Sequence, residues 1–233
     1  MYLEGDYFKN PSRHAEDSIY KVNAIKGIII DYLKDNQIEL ESYADVGCGS
    51  GEIIKILGRE LKKEFNTLKT VAGFDISPHV VNFRDHVADF HCEDFTKSSE
   101  SFDLVTLNDV FEHIVNPIKF LSDVGHRARH VVLHIPLENC LSVNIRSLQK
   151  RKIKNPGHLI FLDLNSALNL ITFSGLSIVS FKFSKESLKA PSNNRTMLQR
   201  ILRPLKTLII NINPFIYSKI FGISLIVIAK GNK

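Results

Sequence analysis

A cluster of glycines follows a short apolar run in the first quarter of the chain. The segment DVGCGSG (residues 45–51) begins inside the apolar run that starts at Tyr43 and precedes a helical stretch predicted from Glu52 to Phe65. Glycines let the backbone turn tightly and let a ligand approach it closely. In doubly wound sheets, such a loop at the carboxyl end of the first strand binds a cofactor. The dinucleotide fingerprint needs a further glycine at position 52, but this chain has Glu52, whose carboxylate would face a pyrophosphate. The pattern therefore predicts a cofactor with an adenosine and no phosphate.

An acidic residue ends the next apolar run. Asp75 lies 24 residues after Gly51, within the predicted strand Thr70–Ile76. A carboxylate at this place can accept two hydrogen bonds from the 2′- and 3′-hydroxyls of a ribose. The glycine loop and Asp75 together predict a nucleoside site.

Short apolar runs alternate with helical stretches along the chain. The remaining predicted strands are Phe90–Phe95, Phe102–Leu107, His130–Ile135, Ile178–Phe183 and Ser224–Ala229. Predicted helices cover residues 17–35, 77–86, 116–125 and 165–174 besides the one after the glycine loop, and residues 137–158 are predicted as a loop. Such alternation is typical of a parallel sheet covered by helices on both faces.

Four motifs in order carry a family resemblance. They are DVGCGSG, GFDIS, CEDF and FDLVTLNDVFEHI, and together they resemble class I S-adenosylmethionine-dependent methyltransferases, most of all the branch that contains the ubiquinone-pathway O-methyltransferases. The resemblance implies an α/β fold with a doubly wound, seven-stranded, mostly parallel sheet whose last strand is antiparallel beside the sixth. It implies one domain over residues 1–233, with an N-terminal helical segment (1–36) and a helical insertion before the last strand (185–222).

The same resemblance implies S-adenosylmethionine as the cofactor and a set of residues that bind it. These are Asp45, Gly47, Gly49 and Gly51 around the methionine and ribose, Asp75 on the ribose hydroxyls, Ile76 and Phe95 against the adenine, Asp94 on the adenine amino group, and Asn108 facing the methionyl group. Glu93 stays open as an alternative to Asp94. Ordinary core packing stays open as the role of Phe95.

Two acids and a histidine follow the fourth predicted strand. Asp109, Glu112 and His113 have the spacing i, i+3 and i+4, which can bring side chains together on one helical turn. In the resembled branch, two glutamates and a histidine in this arrangement hold a divalent metal, whereas here the first acid is Asp. A hard cation needs several oxygen ligands. We therefore expect a structural role and no metal, and these three residues are the ligand set if a metal binds.

Histidines are the candidates for a general base. Methyl transfer from a sulfonium is an in-line displacement that depends mainly on alignment, and a hydroxyl acceptor also gains from a base that works near neutral pH. His158 lies in a loop that resembles the substrate-side loop of the family, His113 follows the fourth strand, and His134 lies at the end of the fifth. These three are the candidate catalytic residues, and a structural role stays open for each of them.

Composition excludes several classes of protein. With 44% hydrophobic residues and only 12 Gly and 8 Pro, the chain is neither disordered nor collagen-like. Its three cysteines form no CxxC pair, the N-terminus has no apolar signal region, and no apolar run reaches the ~18 residues of a membrane span. We expect a cytoplasmic protein without a transmembrane segment.

Two stretches bear on partners. The basic stretch Arg146–Lys154 is either a solvated loop or a clamp for an anionic small-molecule acceptor, and it lacks the aromatic residues that favour single-stranded nucleic acid. The insertion 185–222 has apolar residues at helical spacing, among them Leu205 and Leu208, with basic residues between them. A lid over the acceptor pocket, a homodimer contact and docking on an anionic membrane surface are all open for it. We favour the lid, and a monomer or a homodimer is open.

The sequence thus predicts a methyltransferase that acts on a small or medium acceptor. The expected reaction is O-methylation of a sugar, lipid or other metabolite intermediate. An RNA methyltransferase, and a catalytically silent cofactor-binding module that serves a partner enzyme, remain as alternatives.

Overall fold

A seven-stranded sheet forms the centre of the molecule. The computed structural model describes residues 12–82, 85–185 and 197–232. The strands are β1 Ser42–Val46, β2 Thr70–Asp75, β3 Asp89–Cys92, β4 Phe102–Asn108, β5 Ala128–Leu137, β6 Ser177–Ser184 and β7 Ile223–Lys230. Their order is β3-β2-β1-β4-β5-β7-β6, and β7 runs antiparallel to both of its neighbours while the other pairs are parallel. The predicted fold class is confirmed.

Helices cover both faces of this sheet. They are α1 Ser12–Asp35, α2 Glu52–Glu64, α3 Pro117–Gly125, α4 Leu141–Ile145, α5 Gln149–Lys154, α6 Leu164–Phe173, α7 Met197–Ile212 and α8 Pro214–Phe221. One core cluster joins α1 and α2 to one face, and a second joins α3, α6 and the end of the insertion to the other. Because strand side chains alternate between faces, Tyr43 lies in the first cluster and Ala44 in the second.

Local capping explains where several helices begin. Asn116 accepts a hydrogen bond from the Lys119 amide and precedes Pro117, and Asn213 does the same for the Ile216 amide ahead of Pro214. An Asn cap followed by Pro at the first helical position stabilises a helix start. The predicted starts at 116–117 and 213–214 are therefore confirmed.

Some predicted elements have different bounds. The helix expected from Ser77 to His86 is a 3₁₀ helix over Pro78–Asn82, and residues 83–84 lie outside the described part. The expected loop 137–158 contains α4 and α5, since Val143 of α4 is buried and anchors that helix. β3 ends at Cys92 rather than Phe95, because the Asp94 side chain caps a 3₁₀ turn over Phe95–Lys97. Residues 1–11 of the N-terminal segment and 186–196 of the insertion lie outside the described part.

None of the helices in the described ranges is both long enough and apolar enough to cross a membrane.

Candidate functional site

A cleft opens at the carboxyl ends of β1, β2 and β4. It is lined by Val46, Gly47, Phe74, Asp75, Ile76, Glu93, Asp94, Phe95, Asn108, Asp109, Val110, His113, Ile114 and Phe120. Six of the residues predicted to bind the cofactor are among them: Gly47, Asp75, Ile76, Asp94, Phe95 and Asn108. The other three, Asp45, Gly49 and Gly51, are not among the lining residues. Within the insertion, the side chains of Lys185 and of residues 203–222 are described, and none of them lines the cleft, so the lid remains a prediction.

The loop between β1 and α2 needs its glycines. Gly47, Gly49 and Gly51 have φ angles of 74°, 53° and 75°, in the left-handed region that side chains with a Cβ rarely adopt. A Cβ on Gly51 would lie 2.6 Å from Cε1 of Phe90. The Gly47 amide donates to the Phe74 carbonyl at 2.8 Å, which fixes the loop against the end of β2.

Asp75 faces the cleft from the end of β2. Its Oδ2 accepts from the Gly49 amide at 2.9 Å and its Oδ1 from the Ser77 amide at 2.8 Å. Each carboxylate oxygen has two acceptor sites, so both keep capacity for a further hydrogen bond. The Gly49 and Ser77 amides therefore fix the orientation of the Asp75 carboxylate, and its contact with a ribose diol remains a prediction.

Asp45 lies beneath the cleft rather than in its wall. Its side chain is buried, and Oδ1 accepts from Thr106 Oγ1 at 2.6 Å and from Asn108 Nδ2 at 2.9 Å. Burial raises the pKa of Asp45 to about 6, although both hydrogen bonds oppose this shift. Asp45 thus positions Asn108, and a direct contact of Asp45 with the cofactor remains a prediction.

The residues that follow β3 line another part of the cleft. Asp94 Oδ1 accepts from the Thr96 amide and hydroxyl at 3.0 and 2.7 Å. Phe95 is buried and its ring lies 4.9 Å from that of Phe74, so Phe95 is a core residue that also borders the cleft. Glu93 lines the cleft too, and the choice between Glu93 and Asp94 stays open.

Asp109 belongs to a network with Lys21 and His134. Its Oδ2 lies 2.7 Å from Lys21 Nζ of α1, and its Oδ1 lies 2.7 Å from His134 Nδ1. Burial alone would raise the pKa of Asp109, but Lys21 and His134 outweigh it and hold the pKa far below its usual range. Its φ of 54° is strained for a residue other than glycine. Asp109 is therefore ionised and paired with Lys21 and His134, and the ligand set of Asp109, Glu112 and His113 for a metal remains a prediction.

Glu112, His113 and His158 come together instead. One side-chain nitrogen or oxygen of each lies within 4.8 Å of the others. Glu112 is 1% exposed, and within the described part of the chain neither of its carboxylate oxygens has a hydrogen-bond partner. Burial, with the negative charge of Asp109, raises the pKa of Glu112 well above its usual range.

Both histidines of this cluster are anchored through Nδ1. His113 Nδ1 lies 3.0 Å from the Gly157 carbonyl oxygen, and His158 Nδ1 lies 2.8 Å from Glu138 Oε2. The two rings meet edge to face at 4.8 Å. Burial lowers the pKa of His113. Of the three predicted catalytic histidines, the structure therefore joins His113 and His158 and places His134 in the Asp109 network.

Glu138 is a residue of this site that sequence reasoning missed. Burial would raise its pKa, but hydrogen bonds from His158 and from Lys152, whose Nζ lies 2.6 Å from Oε1, outweigh burial and lower it. Lys152 belongs to the basic stretch singled out in the sequence. Neither Glu138 nor Lys21 stands in a motif, so nothing in the sequence pointed to them.

Comparison with known proteins gives one family and many similar structures. A family model described as a methyltransferase domain matches residues 23–181, more than half of the chain. No curated protein sequence matches significantly.

Three solved structures illustrate the likeness. The plantazolicin methyltransferase BpumL, in complex with SAH, is 17% identical, with a TM-score of 0.57 over 99% of this chain and 95% of that one. A putative methyltransferase from Bacillus halodurans is 14% identical, with a TM-score of 0.54 over 86% and 97%. A putative methyltransferase from Haloferax volcanii, in complex with the Trm112 activator, is 15% identical, with a TM-score of 0.58 over 84% of each chain. At these low sequence identities, the structural similarity shows that the chain shares their fold.

Proposed function

The chain belongs to the methyltransferase-domain family, and from this premise we propose that it methylates a hydroxyl of a small or medium metabolite, with S-adenosylmethionine as the cofactor. The observation that carries the proposal is the position of His113. This histidine lines the same cleft as the six predicted cofactor residues and lies against His158. A candidate base therefore borders the space in which an acceptor would meet the methyl group.

The cleft fits the cofactor in its chemistry. Asp75 offers carboxylate acceptors for two ribose hydroxyls, and Ile76 presents an apolar side chain that is 55% exposed and can pack on an adenine. Bound S-adenosylmethionine supplies an electrophilic methyl group. Asn108, held by Asp45, faces the same space from the end of β4.

The protein contributes alignment and acceptance of a proton. Because burial lowers the pKa of His113, its imidazole is neutral near pH 7 and can accept the hydroxyl proton of the acceptor. His158, oriented by Glu138, borders His113 and positions it. The exposed cations Lys150 and Lys154 of α5 lie in the same connection as His158 and favour an anionic acceptor.

Turnover on fractionated metabolite extracts tests this proposal. We expect products that are one methyl group heavier than their acceptors, and a loss of kcat of about 10²–10⁴-fold in His113→Gln with unchanged binding of S-adenosylmethionine. His126→Gln is the matched control, since His126 is exposed just after the end of α3 and does not line the cleft. A chain that binds the cofactor but methylates no acceptor would instead be a cofactor-binding module.

A second candidate role for the cluster is to hold a divalent cation. It is favoured by the two carboxylate oxygens of Glu112 without partners and by the proximity of His113 and His158. A cation held by these three residues would polarise the acceptor hydroxyl. However, burial raises the pKa of Glu112 well above its usual range and so favours the protonated carboxyl, which must lose its proton before it can bind a cation.

Treatment with a chelator distinguishes the two roles. We expect activity to survive chelation, and His113→Gln to lose activity whether or not metal is added. Activity that is lost on chelation and restored by magnesium, manganese or zinc would assign the cluster to a cation and remove His113 from the role of base.

A further inference from the structure

Four helices form one continuous surface beside the carboxyl end of β5. α8 contacts α4, where Ser142 Oγ donates to the Phe221 carbonyl at 3.4 Å, and α7 contacts α8, where Lys206 Nζ lies 4.6 Å from the centre of the Phe221 ring. α5 follows α4 directly in the chain. Tyr217 and Ile210 are buried in the core and fix α8 and α7 to the sheet. We refer to the exposed side of α4, α5, α7 and α8 as the basic helical face.

Large apolar side chains are exposed on this face. Leu205, Leu208 and Ile212 follow one another at i, i+3 and i+7 on α7, and Ile212 is 74% exposed. The stripe continues into Phe215 and Ile216 at the start of α8, and Ile145 of α4 is 73% exposed. A helix with a wide apolar face needs a cover. The sheet covers Ile210 and Tyr217 and contacts the Phe215 ring through Phe183 of β6, whereas Leu205, Leu208 and Ile212 stay exposed.

The charges on the same helices all have one sign. Between Asn139 and Leu162, and again between Met197 and Gly222, every Asp, Glu, Lys or Arg position is Lys or Arg. They are Arg146, Lys150, Arg151, Lys152, Lys154, Arg200, Arg203, Lys206 and Lys219. None of the chain's 25 acidic residues falls in either stretch, so the rest of the chain is net acidic. Lys152 pairs with Glu138, and the other cations make the surface complementary to this face apolar and negatively charged.

We propose that the basic helical face docks on an anionic lipid bilayer, with α7 and α8 lying in the plane of its interface. Amphipathic helices with apolar residues on one side and Lys or Arg around them bind in this way, and anionic headgroups attract each cation. A second copy of this chain fits less well, because a symmetric contact would oppose two positive faces. Single-stranded nucleic acid also fits less well, since its bases stack on aromatic rings and most of the exposed residues here are aliphatic. This inference does not depend on which acceptor is methylated.

Sedimentation of the full chain with vesicles tests the proposal. The chain is expected to bind vesicles of phosphatidylcholine with phosphatidylglycerol, and to leave vesicles of phosphatidylcholine alone in the supernatant. Leu208→Gln with Ile212→Gln, and separately Arg146→Gln with Lys150→Gln, should each weaken partitioning by about tenfold or more. All four side chains are exposed, so the variants should keep their thermal stability and their binding of S-adenosylmethionine.

Matched controls test whether the position of the substituted residues on the basic helical face matters, rather than the loss of an exposed apolar or basic side chain anywhere on the surface. Phe173 of α6 is 77% exposed and Lys69 has a side chain that is 76% exposed, and both lie outside the basic helical face. Phe173→Gln and Lys69→Gln should bind anionic vesicles as the parent does. Equal binding to neutral vesicles, no binding to anionic ones, or binding that the face variants leave unchanged would overturn the proposal. The proposal would also be overturned if the chain formed a dimer or bound RNA through this face, so that Ile212→Gln abolished that interaction, and did not bind vesicles.

Discussion

Asp75 joins two parts of the cofactor cleft in a single side chain. It accepts hydrogen bonds from the Gly49 and Ser77 amides, lines the cleft and keeps capacity to accept further hydrogen bonds. The glycine loop therefore orients the carboxylate that would hold the ribose, and the carboxylate in turn fixes the loop. We expect a change at this residue to act on binding more than on folding.

Asp75→Ala should weaken binding of S-adenosylmethionine by roughly 1.5–3 kcal/mol, about 10–150-fold, because charged hydrogen bonds are lost. Titration calorimetry measures this change. Asp89→Ala is the control, since Asp89 is an exposed acid at the start of the neighbouring strand β3. An unchanged affinity in Asp75→Ala would remove Asp75 from the ribose.

Asp45 makes a separate prediction about pH. Its pKa is raised from 3.8 to about 6 in the folded state, so between these values the folded chain binds more protons than the unfolded chain. Asp45 therefore reduces stability progressively as pH rises from about 4 to about 6. Asp45→Asn removes this dependence. As pH rises across that window, the free energy of unfolding of Asp45→Asn should increase relative to that of the parent by on the order of 3 kcal/mol.

Urea unfolding at both ends of this pH window measures the change. Asp103→Asn is the comparison variant, and we expect its effect on stability to have the opposite pH dependence. Burial would raise the pKa of Asp103, but hydrogen bonds from the Glu41 amide, Ser42 and Arg129 lower it. Asp103 thus stabilises the fold above its unfolded pKa, and its loss should matter less as pH falls. A difference between Asp45→Asn and the parent that stays constant with pH would contradict a raised pKa.

At the scale of single elements, two glycines should respond in opposite ways to the same substitution. Gly51→Ala requires a left-handed alanine and places Cβ 2.6 Å from Phe90, so we expect destabilisation of more than about 1–2 kcal/mol and weaker cofactor binding. Gly27 lies inside α1 with nothing within 4 Å of its Cβ position, so Gly27→Ala should stabilise by about 0.5–1 kcal/mol. Thermal unfolding of both variants checks this pair. Equal effects would mean that loop geometry does not restrict position 51.

Elements with a strong local pattern could be predicted from the sequence. The strands show as apolar runs, and Asn213-Pro214 marks the start of α8 because cap and proline act locally. α4 and α5 could not be predicted in this way, since each has only one turn or two and α5 (QKRKIK) has no buried side chain. Their placement depends on tertiary contacts, such as Ser142 with Phe221.

The candidate site also has a part that could be predicted from the sequence and a part that depends on tertiary contacts. Asp75 and the glycine loop lie at the carboxyl ends of β2 and β1. Parallel neighbouring strands bring these ends together, so the fold class predicts that the two are close. The contacts of Lys21 with Asp109 and of Glu138 with His158 join residues that no local pattern relates. Helical spacing grouped Asp109 with Glu112 and His113, but Lys21 and His134 attract the Asp109 carboxylate to the other side.

For the whole molecule, cofactor binding should raise thermal stability. At about a hundredfold excess over Kd, a ligand that binds only the folded state adds roughly 2.7 kcal/mol, or about 5–10 °C in Tm for a chain of this size. Differential scanning calorimetry with and without S-adenosylmethionine measures the shift. Asp75→Ala at the same concentration should lose most of it, whereas Asp89→Ala should keep it. No shift in the parent would contradict a cleft formed in the folded state for this cofactor.

The position of β7 has a consequence for the order in which the chain can fold during synthesis. β7 follows α7 and α8 in the chain, yet it lies between β5 and β6 and supplies the pairing for the outer edge of β5 and for β6. A ribosome makes the amino end first, so the nascent chain can assemble β1 to β5 while β5 still has an unpaired edge. Such an edge invites pairing with other chains. Residues 223–230 must therefore leave the ribosome before the sheet is protected from neighbouring nascent chains.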